Sequence, residues 1–430
     1  MSACATNTTA APTADTAAPI VTTSNLESVG TPALARPVIT RAAPSDPAAP
    51  ADFFVGPVAS GDGSGRGQSD AAAFAHLGRL IAAAPPGTVI ELAADQGVYE
   101  LSKPITIAGG GEVDSPITIR GPLDGPRPVL RGERTDPYDP QGETGSPAFR
   151  LEAGADHLVF ALLECERVGN GCFNVVGDIS DLTLQSITAR NVRRFLDTGT
   201  ESGARDASVT GLTVAEVRVE GFSKGVIRLG SDSHDVLIQD VVGDSQGQDG
   251  DNFAIGVHLV DSVHDVRLER VTMSNALDTL HDYWNGDGFA TERDVFRVHL
   301  VGTEAANNSD AGYDLKSSST VLEDVTAAGN KRNYRLWGED MVVADCSGLD
   351  PLLRGGTGSP IQVQVLESAE VWMENCTFAD SASATVVFSV EGTSSLELRD
   401  VDVEHSASGE LSSVAGGADL TQFQVKVSTG

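Results

Sequence analysis

The chain has little positive charge. Lysine and arginine number 29 against 61 aspartates and glutamates, a formal net charge of -32 over 430 residues. A nucleic-acid binder needs a basic face to displace counterions from phosphates, so that class is excluded. An anionic membrane surface would repel such a chain as well. No apolar run approaches the ~18 to 20 residues needed to span a bilayer. Cysteine is scarce and odd in number, five in all, which does not make a disulfide framework. Cys346 and Cys376, in "VVADCS" and "WMENCT", are expected to be buried thiols stacked in a core. H-E-x-x-H does not occur, which leaves metalloproteases without support. The opening stretch lacks a basic segment followed by a continuous apolar one, so it shows no standard secretory signal. Its Ala/Thr/Pro/Ser bias makes residues 1–50 a flexible leader by expectation.

What the chain does have is a repeated phrase between residues 150 and 410. An acidic or small polar residue is followed by alternating apolar positions and a polar turn, as in "SDLTLQSITARN" (180–191), "HDVLIQDVVGDS" (234–245) and "HDVRLERVTMSN" (264–275). Aligning the residue before the first apolar position gives Asp181, Asp235, Asp265, Asp294, Thr320, Asp340, Glu370 and Ser395. A fixed-phase repeat of this length means a stacked array rather than separate globules. Alternation of Val236 with Ile238, and of Val266 with Leu268, is strand periodicity. The expected fold is all-β: a right-handed, single-stranded parallel β-helix over residues 51–430. "DAAAFAHLGRLIAAAP" carries apolar residues at helical spacing, which predicts a capping helix over about 70–84 with Asp70 as its N-cap. Such a helix would cover the open end of the stack, where strand edges are otherwise unpaired. The glycine run just before it has no following G-K-[ST], so it is not a phosphate loop.

Three segments lie one coil apart: "GDGFATE" (286–292), "DAGYDLKS" (310–317) and "KRNYRLWG" (331–338). Setting Phe289, Tyr313 and Tyr334 in one inward column puts Thr291, Leu315 and Leu336 in the next. Alternation then turns Ala290, Asp314 and Arg335 outward in one column and Glu292, Lys316 and Trp337 in another. Asp287 and Asp310 fall at the strand starts beside this ridge. Three carboxylates offer the hard oxygen ligands that calcium takes.

The order "NGDGFA", "NNSDAGYDL", "NYRLWG" resembles the active-site region of the family-nine polysaccharide lyases, the pectate lyases built on a parallel β-helix. The resemblance covers residues 285–338. It implies a calcium site at Asp287, Asp310 and Asp314, with Arg335 at the position of the family's lysine base. Ala311 stands where the family has a further aspartate, which removes one ligand. The implied reaction is β-elimination on a uronic-acid-containing glycan, in which calcium neutralises the carboxylate and a base takes the C5 proton. Lys316, diagonal to Arg335, is a second candidate base or a clamp on the substrate carboxylate. Trp337, Tyr283 and Trp284 are candidates to stack on sugar rings, and His281 is a candidate general acid. The partner expected is an acidic polysaccharide met by a monomer outside the cell or at its surface, by an export route the sequence does not show.

Other readings use the same residues. Asp314 with Arg335, and Lys316 with Glu292, could be surface ion pairs worth ~0 to 1 kcal/mol, and Asp287 and Asp310 could cap turns. Asp244, Asp249 and Asp251 could hold a second cation, but without EF-hand spacing they read as a solvated loop. A polygalacturonase-like hydrolase would need an Asp-Asp and a Gly-His-Gly after Asn285–Asp287, and an epimerase an Asp-Pro-His; neither set occurs. The alternative from another class is a non-catalytic β-helix that binds a glycan or organises the cell surface.

Overall fold

The structure is a computed structural model that describes residues 49–430 except 200–204, 282, 382–384 and 430. All but the last two residues of the expected leader lie outside that range. The described chain winds into a parallel β-helix. Its strands form a 12-stranded sheet, running in chain order from Ile105–Ile107 to Glu410–Val414, and a larger 23-stranded system that makes up the other walls. Register is kept from coil to coil: Val236 pairs with Val266, and Val266 with Val298. These inward positions are buried and share one continuous apolar core. Among the described residues, no helix is long and apolar enough to cross a membrane.

The aspartate that opens four of the repeats has a backbone reason. Asp181, Asp235, Asp265 and Asp340 have φ between 52° and 55°. The chain must turn a corner there, and short polar side chains tolerate the left-handed region better than most. The same requirement corrects two positions of the alignment. The corner residues are Arg297 (φ 53°) and Ser319 (φ 50°), not Asp294 and Thr320. Val295 is buried in a turn and mimics the first apolar strand position. Thr320 is itself an inward residue, paired with Met341, and its hydroxyl is satisfied by Ser317.

Two further expectations are corrected. The helix is shorter than 70–84: a 3-10 turn, Phe74–His76, leads into Leu77–Ala83, and neither has a side-chain cap. Ala72 and Ala73 are drawn instead into a two-residue strand against Val55 and Gly56, while Asp70 accepts from the Ser69 hydroxyl. Burying the strand edge outweighs helix propensity at those alanines. Cys346 and Cys376 are not thiols but a disulfide between adjacent coils, with Cα atoms 4.5 Å apart. Stacking in register brings any two residues of one column within bridging distance, whatever their separation in sequence. Among the described residues, Cys165 and Cys172 are the buried free thiols.

Candidate functional site

The aromatic column is present as expected. Phe289, Tyr313 and Tyr334 are register partners, with ring centroids 5.1 and 5.3 Å apart and planes within 7° of parallel. Their buried hydroxyls are paid for in hydrogen bonds: Tyr313 donates to the Thr303 carbonyl and Tyr334 to that of Ser347. Because the rings face in, Ala290, Asp314 and Arg335 share one outward column. Register carries that column back through His258, Arg228 and Asp197 and forward to Gln364 and Ser389.

A buried amide ladder fixes the corner beside this column. Asn308 donates to Asn330 in the next coil, Asn330 to Asn333 three residues on, and Asn333 to Gln362 in the coil after. The ladder is fully inside and fully hydrogen-bonded, which makes the corner rigid. Asp310 leaves from it and is itself completely buried. Lys331 Nζ lies 2.8 Å from its Oδ1 and Arg332 Nη1 2.5 Å from the same atom. The Tyr283 hydroxyl donates to Oδ2 at 2.7 Å, and Arg335 Nη1 lies 3.7 Å from that oxygen. Lys331 is as buried as its partner and sits 4.7 Å from the centre of the Tyr283 ring.

Asp314 is equally engaged. The Trp337 indole N–H donates to Oδ1 at 2.6 Å, and Oδ2 lies 3.5 Å from Lys316 and 3.9 Å from Arg335. Lys316 also reaches both oxygens of Glu292 at 3.2 Å. Asp287 accepts the backbone N–H of Ala311 at 2.7 Å. Burial, then the nearby Asp310 and Asp314, push its carboxyl well above the usual range, toward the protonated form.

This arrangement does not fit a calcium centre. Calcium takes six to eight oxygen ligands, whereas the oxygens of Asp310 and Asp314 already face N–H donors, a phenol and four cationic side chains. Burial and its acidic neighbours push Asp287 toward its neutral form, a poor ligand. Nor are Arg335 and Lys316 ready bases. Burial is the largest influence and opposes the charge of each, but the acids together outweigh it: Asp314 with Asp310 for Arg335, and Asp314 with Glu292 for Lys316. Both cations are held above their ordinary pKa.

The aromatic candidates have structural partners. Arg335 stacks on one face of Trp337, its Cζ 4.6 Å from the ring centre. Trp284 lies under Gly355 and Gly356; a Cβ on Gly355 would come within 2.1 Å of the indole. It is part of the wall, not an open platform. Tyr283 is the most exposed of the three, and burial together with Asp310 pushes its phenol up to about 12. His281 is exposed and held by Asp278, 2.5 Å from Nδ1. The acidic loop binds protein groups: Asp244 takes Gln246 and Asn275, Asp249 takes Thr279, and Asp251 takes Arg193 and Ser223.

Sequence reasoning missed His258, Lys331 and Arg332. His258 stands in the outward column two coils before Asp314. Burial pulls its imidazole below the usual range, so it is neutral at pH 7. Glu292 Oε1 lies 3.5 Å from its Nε2. The signal was available: extending the Ala290–Asp314–Arg335 column one coil back reaches His258 in "AIGVHLV". In that column only the short side chain of Ala290, a notch in the run of larger side chains, separates His258 from Asp314, over two coil spacings of ~4.8 Å.

No protein-family model and no curated protein matches the chain. Among solved structures it is similar to the catalytic domain of a GH87 alpha-1,3-glucanase in complex with tetrasaccharides, at 11% identity and TM-score 0.54 over 78% of this chain and 63% of that one. It is similar also to GH136 lacto-N-biosidase from Eubacterium ramulus, at 12% identity and TM-score 0.53 over 87% and 68% of the two chains. Pectate lyase Pel9A aligns over 79% of each chain at 16% identity and TM-score 0.49. The chain thus spans less than two thirds of the glucanase domain. At these identities the likeness speaks for the fold.

Proposed function

We propose that the chain is a carbohydrate-active enzyme that cleaves a uronic-acid-containing polysaccharide by β-elimination in the notch over Ala290. One observation carries this reading: an imidazole held below its usual pKa, His258, a carboxyl held above its own, Asp287, and the cations Lys316 and Arg335 lie on consecutive coils of one sheet. In a chain of net charge -32, this groove gathers four cations (Lys316, Lys331, Arg332 and Arg335) against the carboxylates of Glu292, Asp310 and Asp314, which suits a polyanion. Lys316 and Arg335 take the role that calcium has in the resembling family: they neutralise the substrate carboxylate, so that charge developing at C5 is stabilised. With Nε2 turned to Glu292, Nδ1 of His258 takes the C5 proton. The electrons of that C–H bond form the C4=C5 double bond, the C4–O bond breaks, and Asp287 gives its proton to the departing oxygen.

A second reading has its own support. An acid held protonated beside two carboxylates is the pattern that separates general acid from general base in hydrolysis. The fold neighbours above TM-score 0.5 are named a glucanase and a lacto-N-biosidase. In that reading Asp287 protonates the leaving oxygen and Asp314 activates water. Incubation with a panel of polyuronates and neutral glucans separates the two. Elimination yields new reducing ends together with the ultraviolet absorbance of an unsaturated sugar; hydrolysis yields reducing ends alone. Binding without either product would mark a non-catalytic glycan-binding β-helix.

A further inference from the structure

We propose that Asp232, His234 and His264 form a binding site for a divalent transition ion of zinc's class, on a coil corner outside the groove. One carboxylate oxygen of Asp232 and one nitrogen from each imidazole all lie within 4.8 Å of one another. The two histidines open consecutive strands of the larger sheet system, His234–Asp244 and His264–Ser274, and are direct register partners. Their rings are stacked, with centroids 4.8 Å apart and planes within 3° of parallel.

The surroundings favour a lone pair on Nε2 of each ring, and a tilt of the stacked rings would bring the two toward one point. His234 Nδ1 lies 2.8 Å from the backbone carbonyl of Asp232. His264 Nδ1 lies 2.7 Å from Asp265 Oδ2, and Arg297 grips that carboxylate through two nitrogens. A Nδ1–H donated to an oxygen fixes the tautomer and leaves Nε2 as the ligand atom, the arrangement that metal-binding histidines commonly have. His264 Nε2 is already 3.4 Å from Asp232 Oδ1. Zinc–nitrogen and zinc–oxygen bonds are roughly 2.0 to 2.2 Å, so closing the site asks only a small movement. Asp232, whose side chain is 65% exposed, can supply it by a change of rotamer. Two imidazoles and one carboxylate suit zinc, nickel or copper better than calcium, which prefers oxygen alone. Three protein ligands leave a position for water. Because Asp232 and His234 belong to one coil and His264 to the next, the ion would tie two coils together.

The stacking alone has a simpler account, since His264 also lies on Phe296 with centroids 4.7 Å apart, and the test is built around it. The full chain, freed of metal with a chelator, is titrated with zinc chloride by calorimetry, and its melting temperature is followed with and without zinc. The expected result is one saturable site and a zinc-dependent rise in melting temperature. His264→Phe keeps an aromatic ring in the stack and removes the ligand; it should weaken zinc binding at least ~10-fold and cancel the rise. His234→Ala should do the same. Asp265→Asn, which acts through His264, should weaken binding roughly 10- to 100-fold while the metal-free melting temperature moves little. Calcium at the same concentration should give no saturable heat. Absence of saturable zinc heat in the intact chain, or unchanged affinity in His264→Phe, overturns the proposal.

Discussion

Two stretches of the same outward column differ sharply. From Asp197 to Arg335 the column presents Asp197, Arg228, His258, Asp314 and Arg335, interrupted only by Ala290; from Gln364 onward it presents Gln364, Ser389 and Ser413. The inward column hardly changes over the same coils, running Val257, Phe289, Tyr313, Tyr334, Val363 and Phe388, all buried. A parallel coil stack is held by what it turns inward and by its backbone ladders, so the fold makes no demand for charge on the outer face. Charged groups gathered there, and absent a few coils later on the same sheet, are the ones the proposed function uses.

The strongest way to break that contrast is at the notch. His258→Ala and Asp287→Asn should each lower turnover by about 10²- to 10⁴-fold, the usual worth of a general base or acid, with circular dichroism unchanged. Equal activity in either variant would move the chemistry elsewhere. Asp287→Asn should at the same time raise the melting temperature by roughly 2 °C or more, because it removes a buried acid from between two carboxylates. The sign follows from linkage. A carboxyl whose folded pKa is raised favours the folded state at acid pH and loses that contribution as pH rises through the folded value, so the variant's advantage should widen toward alkaline pH.

Next in size is the support beneath the site. Lys331→Met leaves Asp310 buried with one cation fewer and should cost about 3 to 5 kcal/mol in denaturant unfolding. A loss below 1 kcal/mol would mean that Arg332 alone suffices.

A smaller but sharper effect is the pH profile of kcat/KM. The lowered pKa of His258 keeps it neutral to pH values below the ordinary ~6.5 of histidine, and the raised pKa of Asp287 keeps it protonated above the ordinary ~3.9 of aspartate. Activity should therefore fall on the acid side as His258 gains a proton and on the alkaline side as Asp287 loses one. His258→Gln should remove the acid limb. Chelation with EDTA should leave the rate of polysaccharide cleavage unchanged, and a requirement for added calcium would sink the proposed roles of Lys316 and Arg335. Smallest of all, Ser413→Ala, on the neutral part of the column, should change stability by no more than about 0.5 kcal/mol and activity not at all.

Much of the architecture was legible because its rules are local. The alternation of Val236 with Ile238, or of Tyr313 with Leu315, announces which side chains face in, and a one-residue slip would turn all of them out. Asp235 and Asp265 mark corners because of their own backbone angles. The misread positions, Asp294 and Thr320, are those where a buried turn residue or an inward threonine imitates another place in the repeat. The alanines near Asp70 read as helix by propensity, yet the neighbouring strand edge claimed two of them.

The chain's sequence by itself determined the coil stack, the inward aromatic column and the side of the molecule on which the polar groups gather, since each depends on periodicity over a few residues. Tertiary structure alone decided what those groups are. Lys331 reaches the Trp284 carbonyl 47 residues earlier in the chain, and Asp310 is neutralised by residues of the next coil and by Tyr283 from a distant loop. Protonation and pairing follow from burial and from charges that only the fold brings near, so spacing can place Asp287 and His258 but not assign the acid and base roles proposed for them.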